Sequence, residues 1–299
     1  MSQIELSATG ILDKPAANRH GTPWGSIGKN TLIYSILIAG CIITLIPFVW
    51  TILASFKSHA EIIDPAQRTF LPQNFTFDNY TTIFNDPTLP LGRFYANSLF
   101  VALSNVAIHT FTSALFGYVF AKFNFRFKRL IFAYILATLM IPFQLTMIPS
   151  YLILLEFDLT NNLLGLVALS WFNAFGIFLM RQFMMSIPDE LLDAARVDGA
   201  SEWQIFLRIV VPQVLPALAT FGVLVFISNW NAYLWPLIVL QDVEVRTLPI
   251  ILTWYNDRHT SNLGLQMAAS ILIVMPILVV YLFLQRWVVR GFTLSGLKG

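Results

Sequence analysis

Six apolar runs separated by shorter polar segments form the pattern of this chain: about Leu32 to Ala54, Phe94 to Ala121, Leu130 to Pro149, Leu163 to Met185, Gln213 to Leu240 and Gln266 to Val289. The hydrocarbon core of a bilayer takes roughly 20 residues of apolar helix, so the pattern predicts six crossings. Gly40, Pro47 and Pro142 fall inside them, and membrane helices tolerate both residue types. The expected fold class is all-α: a polytopic membrane protein with six transmembrane helices over residues 31–290 and tails at 1–30 and 291–299.

The polar segments differ in kind. Residues 57–93 form the longest, broken by Pro65, Pro72, Pro87 and Pro90, with Phe75, Phe77 and Tyr80 placed to anchor short interfacial structure. The run Lys122-Phe123-Asn124-Phe125-Arg126-Phe127-Lys128-Arg129 interleaves cations with aromatics. Such interleaving suits nucleic-acid stacking, but a loop of snorkelling anchors accounts for it better. A short loop carries Glu156 and Asp158, and a longer one covers 241–265.

Residues 187–212 combine charge with helix signals. Five acids (Asp189, Glu190, Asp193, Asp198, Glu202) and two bases (Arg196, Arg208) lie there between apolar runs. Pro188 suits a first helical turn, where its missing N–H has no partner, and Asp189 and Glu190 place negative charge at the favourable end of the helix dipole. Gly199 can take the left-handed conformation that closes a helix, and Ser201 with Gln204 has the spacing of a capping box for a second helix, expected to end at Pro212. On the first helix Asp189, Asp193 and Arg196 share one side, with Leu191, Leu192, Ala194 and Ala195 on the other. Two readings follow: an amphipathic helix lying in the membrane interface, or an ordered helical pair presented to another protein, with paired alanines permitting close approach.

The order Asp193-Ala194-Ala195, three residues, Gly199, nine residues, Ile209-Val210-Val211-Pro212 resembles the EAA motif of binding-protein-dependent ABC importer permeases, E-A-A-x3-G-x9-I-x-L-P. Asp193 replaces Glu and Val211 replaces Leu, both with character kept. The resemblance extends over about residues 30–299 and includes Asn229-Trp230-Asn231-Ala232-Tyr233-Leu234-Trp235-Pro236, Arg246-Thr247-Leu248-Pro249 and the ending Gly291 to Gly299, which are similar to the carbohydrate-uptake branch and its shorter maltose-type permease. It implies a type I ABC importer fold in which residues 187–212 are coupling helices. Asp189, Glu190, Asp193, Ala194, Ala195, Arg196, Asp198, Gly199 and Ala200 would then form the surface that docks a cytoplasmic ATPase. The implied partners are a second permease subunit, two copies of that ATPase, which carries ATP and Mg, and an extracytoplasmic solute-binding protein addressing loops 57–93 and 241–265. Residues Thr293 to Gly299 would reach the ATPase interface.

Composition narrows the class. The chain is 57% hydrophobic and 11% charged, against about 25% charged in soluble proteins. Residues 1–31, 121–129, 181–212 and 286–299 hold 13 of the 18 Lys and Arg, so these segments and both termini are expected on the cytoplasmic side of a bacterial inner membrane. A net charge of +2 gives no case for nucleic acid. The single Cys41 permits neither a disulfide framework nor a cysteine metal site, and reads as a small buried apolar residue. The first 30 residues lack the apolar core and cleavage site of a signal peptide and read as a cytoplasmic tail.

Catalytic and metal chemistry find no support. Gly28-Lys29-Asn30 lacks the spacing and the Ser or Thr of a P-loop, so no ATP site is expected in this chain. His20, His59, His109 and His259 lie in different segments without metal-ligand spacing. Asn105, His109 and Thr112 form a polar stripe along the second run, and Asn229, Asn231 and Tyr233 flank Trp230. Both groups fit either hydrogen bonding between helices or the lining of a solute path. A stand-alone carrier would leave residues 187–212 without a role, and an intramembrane enzyme would need clustered catalytic groups within the spans. A phosphorylated polyol is the alternative solute to a sugar or glycoside.

Overall fold

The computed structural model describes residues 24–66, 69–257 and 262–296. Contacts divide the chain into two units, residues 1–50 and 51–299. In the first, helix α1 (Trp24–Ala54) starts within the stretch expected to be a tail, and residues 30–50 are exposed. A helix apolar all round is suited to lipid. Cys41 is exposed on it, which corrects the expected burial.

In the second unit, residues 57–93 hold two short helices, α2 (His59–Ile63) and α3 (Asp78–Asn85). Phe56 stacks on Phe75 with centroids 4.4 Å apart, and Phe77 and Tyr80 close the cluster at 5.3 Å each. Lys57 and Glu61, both nearly inaccessible, face each other at 3.7 Å. Asn79 Nδ2 donates to the carbonyls of Ser55 and Lys57 at 2.8 Å each. The long polar segment is thus folded and pinned.

All six apolar runs form helix, but three are not single rods: the third, the fourth, and the fifth, where 231–233 separate two helices. Among the described residues, 30–54, 91–122, 202–230 and 263–283 are long and apolar enough to cross a membrane. The second run is α4 (Leu91–Lys122). The third is α5 (Lys128–Thr138) and α6 (Phe143–Glu156), which meet at 97°. Pro142 explains the bend: it lacks an N–H, and its ring disfavours helical geometry at Ile141. The fourth run is α7 (Gly165–Ala168), a non-helical stretch 169–173, and α8 (Ala174–Met184).

Downstream come α9 (Asp189–Val197), α10 (Glu202–Ile205), a π turn (Phe206–Val210), α11 (Val211–Trp230), α12 (Leu234–Val239), α13 (Ile251–Asp257) and α14 (Leu263–Gly296). No break occurs at Pro212, contrary to expectation. The π turn widens the helix just before the proline, which occupies the first turn of α11, where a missing N–H is tolerated. Helix α14 continues through Gly291 to Gly296, residues expected as tail; residues 1–23 and 297–299 lie outside those described.

Helices α4, α8 and α11 approach closely because glycine stands at the crossings. A Cβ on Gly117 would lie 2.6 Å from the Met180 Cβ, and one on Gly176 would lie 2.2 Å from Ser113 Oγ and 2.3 Å from the Phe221 ring. Small residues of this kind permit backbone contact between membrane helices. Gly117→Val is expected to cost about 1–3 kcal/mol by overpacking. Thermal unfolding of the purified protein should show a lower midpoint for Gly117→Val and little change for Gly92→Ala, whose Cβ would meet nothing within 4 Å.

Candidate functional site

The charged segment folds as an elbow. Pro188 precedes α9 in extended geometry, Asp189 and Glu190 occupy its first turn and Arg196 its last. At its end the Gly199 N–H donates to the Arg196 carbonyl at 3.0 Å and the Ala200 N–H to the Ala195 carbonyl at 2.9 Å. Gly199 sits at φ +83°, a left-handed conformation that glycine takes without Cβ strain. Ser201 and Gln204 then form the capping box: the Ser201 N–H donates to Gln204 Oε1 at 2.8 Å, and the Gln204 N–H to Ser201 Oγ at 3.4 Å.

The angle of the elbow is braced. Arg196 Nε donates to Glu202 Oε1 at 2.7 Å, bridging the helices, and its guanidinium reaches Asp193 Oδ1 at 2.6 Å. The Tyr118 hydroxyl on α4 donates to Glu202 Oε2 at 2.8 Å. Lys122, also on α4, holds Asp189 at 2.6 Å and donates to the Ile187 carbonyl. Beneath these bonds Ile187, Leu192 and Ile205 are buried among Tyr118, Met180, Met184 and Phe206, a gain of roughly 2 kcal/mol per side chain.

Asp189, Glu190, Asp193, Ala194, Arg196, Asp198 and Gly199 are exposed, whereas Ala195 and Ala200 are half-buried. The apolar side expected for α9 divides: Leu192 and Ala195 face the core, while Leu191 and Ala194 face outward. Val197, 88% exposed, and Trp203 join them. The outward surface therefore mixes exposed apolar side chains with exposed acids. Tyr118, Lys122 and Glu202 escaped the sequence reading as braces. Their one signal is that Tyr118 and Lys122 lie four residues apart on one helix face.

The hydrogen bond and charge of Lys122 hold the Asp189 carboxyl below the usual carboxylate range. A lowered folded value means the contact is complete above that range and is lost as pH falls through the lowered value. The Asp189 carboxyl that meets Lys122 is therefore ionised at neutral pH.

The polar stripe of α4 is buried rather than open. Asn105 is fully inaccessible and accepts from the Ser170 hydroxyl; His109 Nδ1 lies 3.3 Å from Asn173 Nδ2; Thr112 Oγ1 donates back to the Ile108 carbonyl at 2.8 Å. Ser170 and Asn173 bound the non-helical stretch before α8, and Asn173 caps that helix through Gly176 N–H at 2.8 Å. The stripe thus meets the side chains of the break, while Asn105 Nδ2 and His109 Nε2 are buried with no hydrogen-bond partner among the described residues. Asn229 folds back on the Val225 carbonyl at 2.9 Å, and Trp230 is buried, donating to the Ile273 carbonyl at 3.0 Å. Asn231 is exposed, and Tyr233 lines an open cavity of about 400 Å³ with Thr253, Gln266 and Ser270.

Residues 113–294, which include the whole elbow, match the family model described as binding-protein-dependent transport system inner membrane component. The chain belongs to that family. Similar permeases include the lactose transport system permease protein LacG of Rhizobium radiobacter, 35% identical over 258 residues that make up 86% of this chain and 93% of the relative. The arabinooligosaccharides transport system permease protein AraQ of Halalkalibacterium halodurans is 32% identical over 86% of this chain and 92% of its own length. The sn-glycerol-3-phosphate transport system permease protein UgpE of Pectobacterium atrosepticum is 32% identical over 88% and 96%. Among solved structures, a bacterial ABC transporter involved in the import of the acidic polysaccharide alginate superposes with a TM-score of 0.76 at 26% identity, over 89% of this permease and 98% of that chain. The resemblance carried by the EAA-like spacing holds at the level of the family and of the importer fold.

Arg196→Ala should release both Asp193 and Glu202. Exposed charge pairs are each worth up to about 1 kcal/mol. Hydrogen exchange is expected to speed up at Gly199 and Ala200 in this variant, with the amides of α11 unchanged.

Proposed function

We propose that this permease is the non-catalytic membrane subunit of an ATP-driven importer of a sugar or glycoside, and that its elbow seats a cytoplasmic ATPase. The observation that carries the reading is the elbow itself, a braced helical pair whose outward face exposes both apolar side chains and acids. ATP and Mg would be bound by the ATPase, present in two copies, with a second permease completing the pathway. The orientation that follows puts the elbow and both termini in the cytoplasm, in agreement with the Lys and Arg distribution. Movement of the ATPase would pass from α9 through Arg196 to α10 and along the continuous helix into α11.

On the opposite side, the folded loops would receive a solute-binding protein. In one solved relative, a bacterial alginate ABC transporter is in complex with an alginate pentasaccharide-bound periplasmic protein; that relative has a TM-score of 0.61 at 18% identity and supports the likeness of fold alone. A cleft of about 620 Å³ lined by Asn85, Asp86, Trp254 and Tyr255 offers this permease a polar and aromatic seat there.

The arabinooligosaccharide and lactose relatives favour a neutral saccharide. The glycerol-phosphate relative favours a phosphorylated polyol as the second reading. A phosphate calls for a cation in its path. Residues 94–121, 130–149, 163–180 and 213–240 contain no Lys or Arg.

Gly199→Val forces a β-branched residue into left-handed geometry, at about 1–2 kcal/mol. In the complete importer reconstituted in liposomes, uptake per ATP hydrolysed should fall roughly 5- to 30-fold, with Gly199→Asn close to wild type because Asn enters that region readily. Normal uptake and normal binding-protein-stimulated hydrolysis in Gly199→Val would overturn the reading.

A further inference from the structure

A second built feature lies away from the elbow brace. Helices α4, α5 and α8 enclose an open groove of about 450 Å³, almost wholly apolar, lined by Phe116, Phe120, Tyr134, Ile135, Thr138 and Phe172 among others. Tyr134 and Phe172 are 74% and 66% exposed, so the groove opens outward from this chain.

The residues next to the groove's lining are cationic. Arg181 on α8 donates from Nε to the Phe120 carbonyl at 3.1 Å and stacks on Phe132, its guanidinium 4.5 Å from the ring centroid. Phe132 packs in turn on Phe120, with centroids 5.4 Å apart, and Phe120 on Phe125 at 5.7 Å. Lys128 donates to the Phe123 carbonyl at 2.7 Å and is near enough to Arg181 for the two charges to act on each other. Arg126 and Arg129 flank them in the chain, with Arg126 stacked 4.7 Å over Phe127.

Among the described residues no carboxylate pairs with this group. The sequence has no Asp or Glu from 87 to 155 or from 159 to 188, which covers every element forming the groove. Asp189 is engaged by Lys122, and among the described residues Arg126, Lys128, Arg129 and Arg181 enter no ion pair. Like charges near one another repel, and an anion between them removes that repulsion. An occupant with an anionic head and a long apolar body satisfies both halves of the feature, and basic pockets between membrane helices take such head groups.

We propose that this groove is a binding site for an anionic phospholipid, with an acyl chain against Phe116, Tyr134 and Phe172 and the phosphate on Lys128 and Arg181. The lipid would fill the angle between α5 and α8 and neutralise the loop joining α4 to α5.

The test is photolabelling of the whole importer in lipid nanodiscs, using phosphatidylglycerol and phosphatidylcholine that carry the same diazirine on one acyl chain, with adducts located by peptide mass spectrometry. Phosphatidylglycerol is expected to label α4, α5 and α8 around the groove several-fold more than phosphatidylcholine. Lys128→Gln combined with Arg181→Gln should bring the two lipids to equal labelling, and high salt should do the same in the wild type. Thr138→Phe, which leaves every cation in place and fills the groove, should reduce labelling by both. Equal labelling of the wild type by the two lipids at low salt would overturn the proposal, as would adducts absent from the groove because the second permease covers it.

Discussion

One apolar cluster joins the elbow to the membrane core, and the rest of the structure depends on it. Leu192 of α9 and Ile205 of α10 are buried with Tyr118 of α4, Met180 and Met184 of α8, and Val214 and Phe221 of α11. The elbow is therefore the end of the helical core turned outward, not an appended loop. Protein interiors are packed like crystals and transmit displacement rather than absorb it. A push on α9 has to move α10, and α10 continues without a break through the π turn into α11.

Several polar groups in this core join one segment to another. Asn105 and His109 meet Ser170 and Asn173, where the helix between 165 and 184 is interrupted and its backbone loses ladder partners. In lipid such an interruption is tolerated only where protein supplies hydrogen bonds. Asn97 and Ser98, farther along the same helix α4, reach the 241–265 loop instead: Asn97 donates to the carbonyls of Glu244 and Arg246 at 2.9 Å, and the Leu248 N–H donates to Ser98 Oγ at 2.7 Å. Helix α4 thus organises both ends of its unit, bracing the elbow with Tyr118 and Lys122 and the opposite loop with Asn97 and Ser98.

What the sequence made legible was local or compositional. The capping box at Ser201, the left-handed Gly199 and the acidic first turn of α9 depend on residues within a few positions of each other, and all three are present. The helical character of the six runs follows from apolar length. The continuity of those runs does not, because hydropathy averages over Pro142 and over 169–173 without sensing a bend. Which of Leu191 and Leu192 faces inward was equally hidden, since periodicity places the two on one broad side and only the neighbouring α4 and α8 distinguish them. Trp230, flanked in sequence by Asn229 and Asn231, is core, and its indole N–H finds the Ile273 carbonyl across α14. The polar stripe fits either hydrogen bonding between helices or a solute path; Asn105 and His109 each meet a side chain of 165–184 and each keeps one buried nitrogen without a partner among the described residues.

The central claim is that the elbow seats a nucleotide-hydrolysing subunit, and a single introduced cysteine tests it most directly. Val197 projects from the end of α9 and is 88% exposed. With Cys41→Ser removing the native thiol, Val197→Cys in the complete membrane complex should cross-link through a short thiol-to-amine reagent to the ATPase subunit, and the yield should change when ATP is bound. Cross-linking confined to the second permease, or a Val197→Cys thiol reached only by a membrane-embedded probe, would contradict the account.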